Sequence, residues 1–333
     1  MIDSFTKFER VLVTGGAGFI GGALIRRLLK YTDCLIFNLD KIGYASDLTG
    51  IERTLFDLGK VNSQRRYKAL NVDLFDREAT NTAVKEANPD LIFHLAAESH
   101  VDRSIDSPSI FMDSNVIGTF NLLQAARFHW DNLSGKRKDI FRFHHVSTDE
   151  VFGSLGDIGA FSELTPYDPR SPYSASKASS DHFVSAWHHT YGLPVVSTNC
   201  SNNYGPWQFP EKLIPVVILK AMSGQRIPLY GDGSNIRDWL FVEDHIDALI
   251  LTATKGKLGR KYCVGGNNEI SNRLIVENIC SILDKLKPKN YSYSSLITLV
   301  KDRPGHDYRY AINSERIRNE LGWSPSYEFE KGL

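Results

Sequence analysis

A tyrosine and a lysine stand at a spacing that suits proton transfer. The run 173–177 reads Tyr-Ser-Ala-Ser-Lys, so Tyr173 and Lys177 share one face of a predicted helix. An ammonium beside a phenol favours the phenolate, and we expect Lys177 to lower the pKa of Tyr173 below its ordinary value of about 10. The pair is a candidate base that takes a proton from a hydroxyl group while a hydride leaves the same carbon.

Two adjacent carboxyl groups, Asp149 and Glu150, come directly after Thr148 at the end of an apolar run. Adjacent carboxylates perturb each other's ionisation, which favours one protonated acid and one ionised base. Successive residues of an extended strand point to opposite faces. Both groups can therefore serve one substrate only if the strand ends at Thr148 and the backbone turns. Taken alone, an Asp-Glu pair is more often a solvated loop.

A glycine-rich loop precedes these groups. The run 15–21 reads Gly-Gly-Ala-Gly-Phe-Ile-Gly, directly after a short β-branched run and before a helical pattern. Glycines let the backbone approach a pyrophosphate closely, and the helix that follows offers unpaired N–H groups to it. Asp40 stands about 20 residues further on, where a carboxylate accepts hydrogen bonds from the adenosine ribose and repels a 2′-phosphate. The loop predicts a dinucleotide site that prefers NAD to NADP.

Further cofactor contacts are expected at the ends of the next strands. Lys41 would soften the repulsion of a 2′-phosphate by Asp40. Asp73 either caps the adenine amino group or serves only in a turn or helix cap. Ala96 and Ala97 are small enough for a backbone to pass beneath a cofactor. The predicted cofactor residues are Gly15, Gly18, Phe19, Ile20, Gly21, Asp40, Lys41, Asp73, Leu74, Ala96, Ala97, Tyr173 and Lys177.

Alternating strand and helix patterns place these groups. Strand patterns cover 10–14, 35–39, 67–72, 91–95, 141–146 and 195–198, and helix patterns cover 20–29, 79–86, 114–128 and 175–191. Continuous apolar runs indicate strands buried on both faces, hence a parallel sheet with right-handed crossovers. The predicted fold is α/β, a Rossmann-like doubly wound parallel sheet with a smaller C-terminal α/β substrate domain.

The amino-acid composition changes after residue 200, where prolines and glycines become frequent. We expect residues 1–200 to form the NAD-binding domain. Residues 201–239 and 267–333 are expected to form the substrate domain, and 240–266 to return to the first sheet.

Charge and composition exclude several classes of partner. The 333 residues carry 39 Lys and Arg against 39 Asp and Glu, so there is no basic field to collect nucleic acid. No apolar run reaches the length of about 18 residues that spans a membrane, and the first residues do not resemble a signal peptide. The four cysteines form no CxxC, and the His-His pairs at 144–145 and 188–189 are expected in packing or at the surface. These features predict a cytoplasmic protein without a metal site.

Six motifs together resemble those of the dTDP-glucose 4,6-dehydratase family, in the nucleotide-sugar branch of the extended short-chain dehydrogenase/reductase superfamily. The similarity runs from about residue 9 to the end of the chain. The motifs are Ser-Thr-Asp-Glu-Val-Phe-Gly at 147–153, Ser-Pro-Tyr-Ser-Ala-Ser-Lys-Ala-Ser-Ser-Asp-His at 171–182, Cys-Ser-Asn-Asn-Tyr-Gly-Pro at 200–206, Pro-Glu-Lys-Leu-Ile-Pro at 210–215, Ile-Arg-Asp-Trp at 236–239 and Asp-Arg-Pro-Gly-His-Asp at 302–307.

The resemblance implies a reaction and a role for each catalytic residue. Tyr173 takes the C4 hydroxyl proton as hydride passes to NAD, and Thr148 hydrogen-bonds the C4 oxygen. Glu150 then removes the C5 proton while Asp149 protonates the departing C6 hydroxyl, and hydride returns to C6. The product of dTDP-glucose would be dTDP-4-keto-6-deoxyglucose, a precursor of deoxysugars such as rhamnose. The resemblance also implies a homodimer formed by helices of the first domain.

The resemblance assigns residues to the nucleotide end of the substrate as well. Arg237, Arg303 and Lys212 would bind the diphosphate, for which planar guanidinium groups are well suited. Pro228 and Tyr230 would form the thymine slot, unless they are only a turn residue and a core aromatic. Thymine and uracil differ by one methyl group, so the base stays open. The predicted substrate residues are Ser99, His100, Asn202, Lys212, Leu213, Pro228, Tyr230, Arg237, Asn272, Arg303 and His306.

Two alternative functions stay open at this stage. One is a neighbouring NAD-dependent nucleotide-sugar epimerase or decarboxylase, and Asp149 argues against it because those relatives carry a small or hydroxyl residue there. The other is a catalytically silent NAD-binding regulator, which would be expected to lose one of the catalytic residues. The run 42–46, Ile-Gly-Tyr-Ala-Ser, departs from the family's Leu-Thr-Tyr-Ala-Gly and removes the threonine side chain.

Overall fold

The computed structural model describes residues 2–59 and 64–333. Its strands are β1 (Arg10–Thr14), β2 (Leu35–Asp40), β3 (Tyr67–Asn71), β4 (Leu91–His94), β5 (Arg142–Thr148), β6 (Val195–Cys200), β7 (Asn202–Tyr204), β8 (Ile227–Tyr230), β9 (Ile236–Phe241), β10 (Lys261–Val264), β11 (Glu269–Ser271) and β12 (Ile297–Val300).

The helices alternate with these strands. They are α1 (Phe19–Tyr31), α2 (Thr49–Leu58), α3 (Arg77–Ala87), α4 (Val101–Asp106), α5 (Pro108–Phe111), α6 (Gly118–Asp131), α7 (Gly135–Ile140), α8 (Pro172–Tyr191), α9 (Leu213–Met222), α10 (Val242–Lys255), α11 (Asn272–Leu286), α12 (Glu315–Leu321) and α13 (Phe329–Gly332). Short 3-10 turns cover Ile2–Lys7, Asp149–Phe152 and Tyr293–Leu296. None of the helices in these described ranges is long and apolar enough to cross a bilayer.

Seven strands form the main sheet in the order β10-β6-β5-β4-β1-β2-β3, and every neighbouring pair is parallel. The predicted doubly wound parallel sheet is therefore confirmed. The expectation that the strand near residue 67 is buried on both faces is wrong. It forms β3, which has a neighbour on one side only and in which Lys68, Ala69 and Asn71 are exposed and no residue is fully buried.

Helices cover both faces of the main sheet. Val11 and Val13 of β1 pack into one core with α1 and α10, and Leu12 between them packs into the opposite core with α3, α6 and α8. This alternation follows from the two-residue period of a strand. The sequence predicted a single helix over residues 114–128. The structure has a π-helical turn at Met112–Ile117, which continues directly into α6.

The later part of the chain builds two small sheets beside the carboxyl ends of the main strands. One has the order β11-β9-β7, and the other pairs β12 with β8. Helices α9 and α11 share a separate core with β8 and β9. The segment between β9 and β11 lies with the main sheet instead, because α10 packs in the first core and β10 pairs with β6.

Candidate active site

A cavity of about 740 Å³ opens at the carboxyl ends of the main strands, between them and the two small sheets. Its size is typical of small-molecule and cofactor sites. All of the residues predicted from the sequence to bind cofactor or substrate line this cavity. Of the predicted catalytic residues, Thr148, Glu150, Tyr173 and Lys177 line it as well, and Asp149 does not.

The glycine loop forms a backbone cradle at one end of the cavity. Gly15 has a positive φ of 72°, and a Cβ atom there would lie 2.6 Å from the backbone nitrogen of Ala96. A Cβ on Gly21 would lie 2.2 Å from the carbonyl oxygen of Gly15. Helix α1 then starts without a side-chain cap or an acidic residue in its first turn. Its N–H groups and positive dipole end are therefore available to a pyrophosphate.

We expect Gly21→Ala to weaken NAD binding by about 10–100-fold, because an added methyl group in a closely packed site costs roughly 1–3 kcal/mol. The clash is with backbone atoms, which cannot turn aside as a flexible side chain can. Gly22→Ala is the matched control, since its Cβ would lie 3.3 Å from the mobile end of Arg26. Calorimetric titration with NAD measures both, and equal affinities would contradict the cradle.

Asp40 ends β2 at the ribose position of such a site. Its carboxylate accepts hydrogen bonds from the backbone N–H of Ala17 at 2.9 Å and of Ile42 at 2.8 Å, which fixes its orientation. Lys41 does not neutralise it. The ammonium of Lys41 pairs instead with Glu98 at 2.8 Å, so the repulsion of a 2′-phosphate by Asp40 is retained. This geometry fits NAD better than NADP.

Asp73 and the hydroxyl at position 46 complete the adenosine end. The Asp73 carboxylate accepts a hydrogen bond from the Phe75 N–H at 3.0 Å, so it serves in a turn while it also lines the cavity. Ser46 Oγ donates to Asp40 at 3.3 Å and accepts from the Gly43 N–H at 3.0 Å. The run 42–46 thus retains a hydroxyl beside Asp40, although its position in the sequence differs from the family pattern.

The two adjacent carboxyl groups lie on a turn. Thr148 is the last residue of β5, and a single 3-10 turn over Asp149–Phe152 follows, with the Glu150 N–H donating to Thr148 Oγ1 at 3.3 Å. The strand therefore runs two residues beyond the predicted range of 141–146, and it ends at Thr148 with a turn, as is required if both carboxyl groups are to serve one substrate. Glu150 lines the cavity, whereas Asp149 is 1% exposed and lies behind the cavity wall, where its Oδ1 accepts from Thr148 Oγ1 at 3.3 Å.

Different surroundings separate the ionisation of these carboxyl groups. Burial, together with the charges of Glu150 and Asp238, raises the pKa of Asp149 well above its ordinary value. Burial also raises the pKa of Glu150, but the charges of Lys212 and Arg303 oppose that rise. Asp149 is therefore suited to hold a proton at neutral pH, and Glu150 is the better candidate for a base.

Tyr173 and Lys177 lie in the first two turns of α8. Ser171 caps this helix through a reciprocal hydrogen-bond pair with Ser174, and Pro172 occupies its first position. The Lys177 ammonium donates to the carbonyl oxygen of Val146 at 2.9 Å. Both side chains are buried and line the cavity.

The expected lowering of the Tyr173 pKa by Lys177 is wrong for the chain alone. Burial and the negative charge of Glu150 raise the pKa of Tyr173 well above its ordinary value, and a hydrogen bond with Thr148 opposes only part of that rise. The low dielectric of the site penalises a phenolate more than the nearby ammonium stabilises it.

Three cations surround the other end of the cavity. Arg237 is 5% exposed, and its guanidinium donates to the carbonyl oxygens of Ile236 and Asp307 while it lies 4.2 Å from the centre of the Tyr310 ring. These contacts hold the charge in place, and no carboxylate within the described part of the chain forms an ion pair with it. A fixed guanidinium of this kind suits a phosphate or an ionised oxygen.

Arg303 and Lys212 reach across the cavity to the segment after β4. Lys212 Nζ donates to the Ser99 carbonyl oxygen at 2.8 Å, and Arg303 Nη1 lies 3.5 Å from a carboxylate oxygen of Asp102. The Nε of Arg303 is buried and has no hydrogen-bond partner in the described structure. Both cations therefore retain donors for an anionic ligand.

Pro228 and Tyr230 form one side of a flat slot. They are two residues apart on β8 and so share a face, whereas Ile227 and Leu229 point into the core. Tyr230 is 43% exposed, which excludes the core role that its type also allowed. His306 packs edge-on against its ring at 6.4 Å between centres. The other predicted substrate residues on the same cavity are Ser99, His100, Asn202, Leu213 and Asn272.

Several residues that influence the site were not predicted from the sequence. Tyr310 supports Arg237, Glu98 pairs with Lys41, and Asp238 raises the pKa of Asp149. Asp238 lies in the motif at 236–239, and Glu98 lies between the predicted residues Ala97 and Ser99, so position in the sequence was the available signal for both. Tyr310 carried none, because its contact depends on how distant segments pack. Among residues 2–59 and 64–333, no cluster of His, Cys, Asp and Glu could hold a metal ion.

Comparisons with known proteins agree with this geometry. The family model described as GDP-mannose 4,6 dehydratase matches residues 12–333. A dTDP-glucose 4,6-dehydratase of Neisseria meningitidis is 51% identical over 98% of this chain and 91% of its own, and one of Escherichia coli is 50% identical over 97% and 90%. The crystal structure of DesIV, a dTDP-glucose 4,6-dehydratase of Streptomyces venezuelae with NAD bound, superposes with a TM-score of 0.85 at 40% identity, covering 97% of this chain and 94% of DesIV. The chain therefore belongs to the dTDP-glucose 4,6-dehydratase family, in the nucleotide-sugar branch of the extended short-chain dehydrogenases/reductases.

Proposed function

We propose that this protein converts dTDP-glucose to dTDP-4-keto-6-deoxyglucose and water, with NAD as a resident cofactor. The observation that carries the proposal is the turn after β5, which sets a buried carboxyl group of raised pKa beside a second carboxyl group that faces cations, next to Tyr173. An epimerase or an oxidase has no use for such an acid and base pair. The product would serve the synthesis of 6-deoxysugars such as rhamnose.

The residues present fit NAD. The cradle at Gly15–Gly21 would hold the pyrophosphate, and Asp40 would accept hydrogen bonds from the adenosine ribose. Leu74, Ala96 and Ala97 line the same end of the cavity. Bound there, NAD would supply an acceptor for the C4 hydride and a donor for C6, and its oxidised ring would add a positive charge that favours the ionised form of Tyr173.

The protons are moved by side chains of the chain itself. Tyr173 Oη takes the proton of the C4 hydroxyl, and Thr148 Oγ1 hydrogen-bonds the same sugar oxygen. Once C4 is a carbonyl, the C5 proton is acidic, and a carboxylate oxygen of Glu150 removes it, then returns it to C5 when hydride arrives at C6. Asp149 supplies the proton on which the C6 oxygen leaves as water. Because Asp149 lies behind the wall formed by Thr148, a rotation of its carboxyl group toward the cavity is part of this step.

The opposite end of the cavity would bind the nucleotide. Lys212, Arg237 and Arg303 supply positive charge for the diphosphate, and Pro228 and Tyr230 supply the flat surface for a thymine ring. His306 packs against Tyr230, which restricts the ring's rotation. Neutral net charge of the chain is compatible with this arrangement, because local cations and helix N–H groups bind the two diphosphates.

One assay tests the proposal. The protein is incubated with dTDP-glucose, while the mass of the nucleotide sugar and the near-ultraviolet absorbance of reduced nicotinamide are followed together. We expect the sugar to lose one water with no accumulation of reduced cofactor. An unchanged mass with a galactose product would instead identify an epimerase, and retained NAD binding without turnover would identify a regulator.

We further propose that the protein is a homodimer that pairs α6 and α8 with their copies. These helices expose Phe128 and Tyr191 and carry an aromatic cluster in which Phe120, Phe183 and Trp187 make edge-on contacts. Exposed aromatic side chains on adjacent helices are typical of a subunit interface, and a twofold axis makes such a surface self-complementary.

Phe183→Glu is expected to shift the protein from dimer to monomer, because the interface would bury two unpaired carboxylates. Phe56→Glu is the matched control, since Phe56 is 86% exposed on α2, away from α6 and α8. Sedimentation velocity distinguishes the two species, and circular dichroism reports whether the fold is intact. A monomeric parent protein, or a dimeric Phe183→Glu variant, would contradict this interface.

A further inference from the structure

Asp181 is a buried carboxylate that the proposed reaction does not use. It lies on α8, one helical turn after Lys177 and two turns after Tyr173, so the three side chains share a face. Only 8% of Asp181 is exposed. A charge in such a place is costly unless neighbouring groups compensate for it.

Neutral donors hold this carboxylate in position. The Tyr167 hydroxyl donates to it at 2.7 Å and the Asn199 amide at 3.1 Å, and His145 Nε2 lies 2.9 Å from its other oxygen. Burial, and then the charge of Lys177, lowers the pKa of His145, so the imidazole is neutral at physiological pH. Hydrogen bonds therefore fix the carboxylate, and neither Tyr167 nor Asn199 has a charge that could cancel its own.

Lys177 carries the opposite charge and is also buried. Its ammonium is 4% exposed and donates to the Val146 carbonyl oxygen, and no carboxylate in the described ranges lies within ion-pair distance of it. A buried ammonium without a counter-ion tends to lose its proton. The nearest turn of its own helix supplies the opposite charge, in the form of Asp181.

We propose that Asp181 is a positioning residue of the active site: its carboxylate, fixed by neutral donors, balances the ammonium of Lys177 and keeps it charged beside Tyr173. This inference rests on the proposed function. The pKa shifts agree with it, because burial lowers the pKa of Lys177 and the charge of Asp181 opposes that fall. Conversely, the pKa of Asp181 is lowered to about 2 despite its burial, first by its hydrogen bond with His145, with the charge of Lys177 among the further causes.

Other titratable groups surround this pair, and none replaces Asp181. Cys200 holds its proton because burial raises its pKa to about 12, and burial lowers the pKa of His94 well below its ordinary value. Lys261 donates to the Tyr167 hydroxyl at 3.2 Å from the far side of the carboxylate. The groups that interact with Lys177 or Asp181 are His94 from β4, His145 from β5, Cys200 from β6, Lys261 from β10 and Tyr167 from the preceding loop, and Tyr173 lies on the same face of α8.

Asp181→Asn tests the role of the charge. The amide keeps the size of the side chain and removes the negative charge, so we expect the pH at which Lys177 loses its proton to fall by about 1–3 units. In protein with lysine isotopically labelled at Cε, the chemical shift of that carbon follows the ionisation of Lys177, and Lys177→Arg identifies its signal. Because the ammonium is needed beside Tyr173, the alkaline fall of kcat/KM should move to lower pH by the same amount.

Tyr167→Phe is the matched control. It removes a hydrogen bond to the same carboxylate but keeps the charge, so we expect the titration of Lys177 and the pH profile of the parent. A purely structural role for Asp181 predicts the same outcome for both variants, and would overturn the proposal. If Asp181→Asn is insoluble, Asp181→Ser, which leaves room for a water among the same donors, takes its place.

The NMR titration also separates this inference from the proposed function. It needs no turnover, so a protein that fails to dehydrate dTDP-glucose can still show the shift of Lys177. A parent that dehydrates the sugar, together with an Asp181→Asn variant whose Lys177 titrates unchanged, would overturn the positioning role alone.

Discussion

Asp149→Asn is expected to slow the release of water by about 10²–10⁴-fold while oxidation at C4 continues. The amide has nearly the same size and can still accept the hydrogen bond from Thr148, but it has no proton to give to the departing C6 oxygen. The variant should therefore accumulate an oxidised sugar and reduced nicotinamide, which the parent does not. Rapid-mixing absorbance and mass spectrometry of the quenched sugar measure the two steps separately.

The pH dependence of elimination follows from the same carboxyl group. Burial and the charges of Glu150 and Asp238 raise the pKa of Asp149, so the acid is protonated at neutral pH and loses its proton only as the pH rises through that raised value. Water release in the parent should fall on the alkaline side, and this fall should be absent from the slow residual rate of Asp149→Asn.

A control and a contradicting outcome make this test specific. Asp157 is exposed in the loop after the catalytic turn, and Asp157→Asn should dehydrate the sugar at the rate of the parent. If Asp149→Asn also dehydrates at that rate, Asp149 is not the acid. The carboxyl group of Asp149 would then stay behind the cavity wall and would not rotate toward the substrate.

Much of the sheet could be predicted because local patterns determine it. Apolar runs located β1, β2, β4, β5 and β6 to within about two residues, and the glycine run predicted the start of α1. The π-helical turn at Met112–Ile117 had no such pattern, because it is a local change of hydrogen bonding inside a continuous helical sequence.

The site could be predicted in its members but not in its electrostatics. The spacing of Tyr173 and Lys177 was enough to place both side chains on one face of a helix that lines the cavity. The rise of the Tyr173 pKa was not predictable from the sequence. It comes from burial and from the charge of Glu150, and both arise only when β5 and α8 pack together. In the same way, no local pattern brings Arg303 to Glu150, because more than a hundred residues separate them in the chain.

Tyr173→Phe is expected to slow oxidation at C4 by about 10²–10⁴-fold, and with it every later step. Phenylalanine retains the ring that packs against Phe111 but has no oxygen to take the C4 hydroxyl proton. Unlike Asp149→Asn, this variant should form neither the oxidised sugar nor reduced nicotinamide. Tyr31→Phe, at the exposed end of α1, is the matched control and should retain the activity of the parent.

The raised pKa of Tyr173 fixes the sign of its pH dependence. Burial and Glu150 keep the phenol protonated at neutral pH, so the fraction of phenolate, and with it the rate of C4 oxidation, should rise as the pH increases toward that pKa. Glu150→Gln removes one of the charges that raise this pKa, and should shift the rise to lower pH while it blocks proton removal at C5. Single-turnover formation of reduced nicotinamide against pH measures both effects. An oxidation rate that is independent of pH, or a Tyr173→Phe variant that oxidises C4 at the parent rate, would assign the first proton transfer to another group.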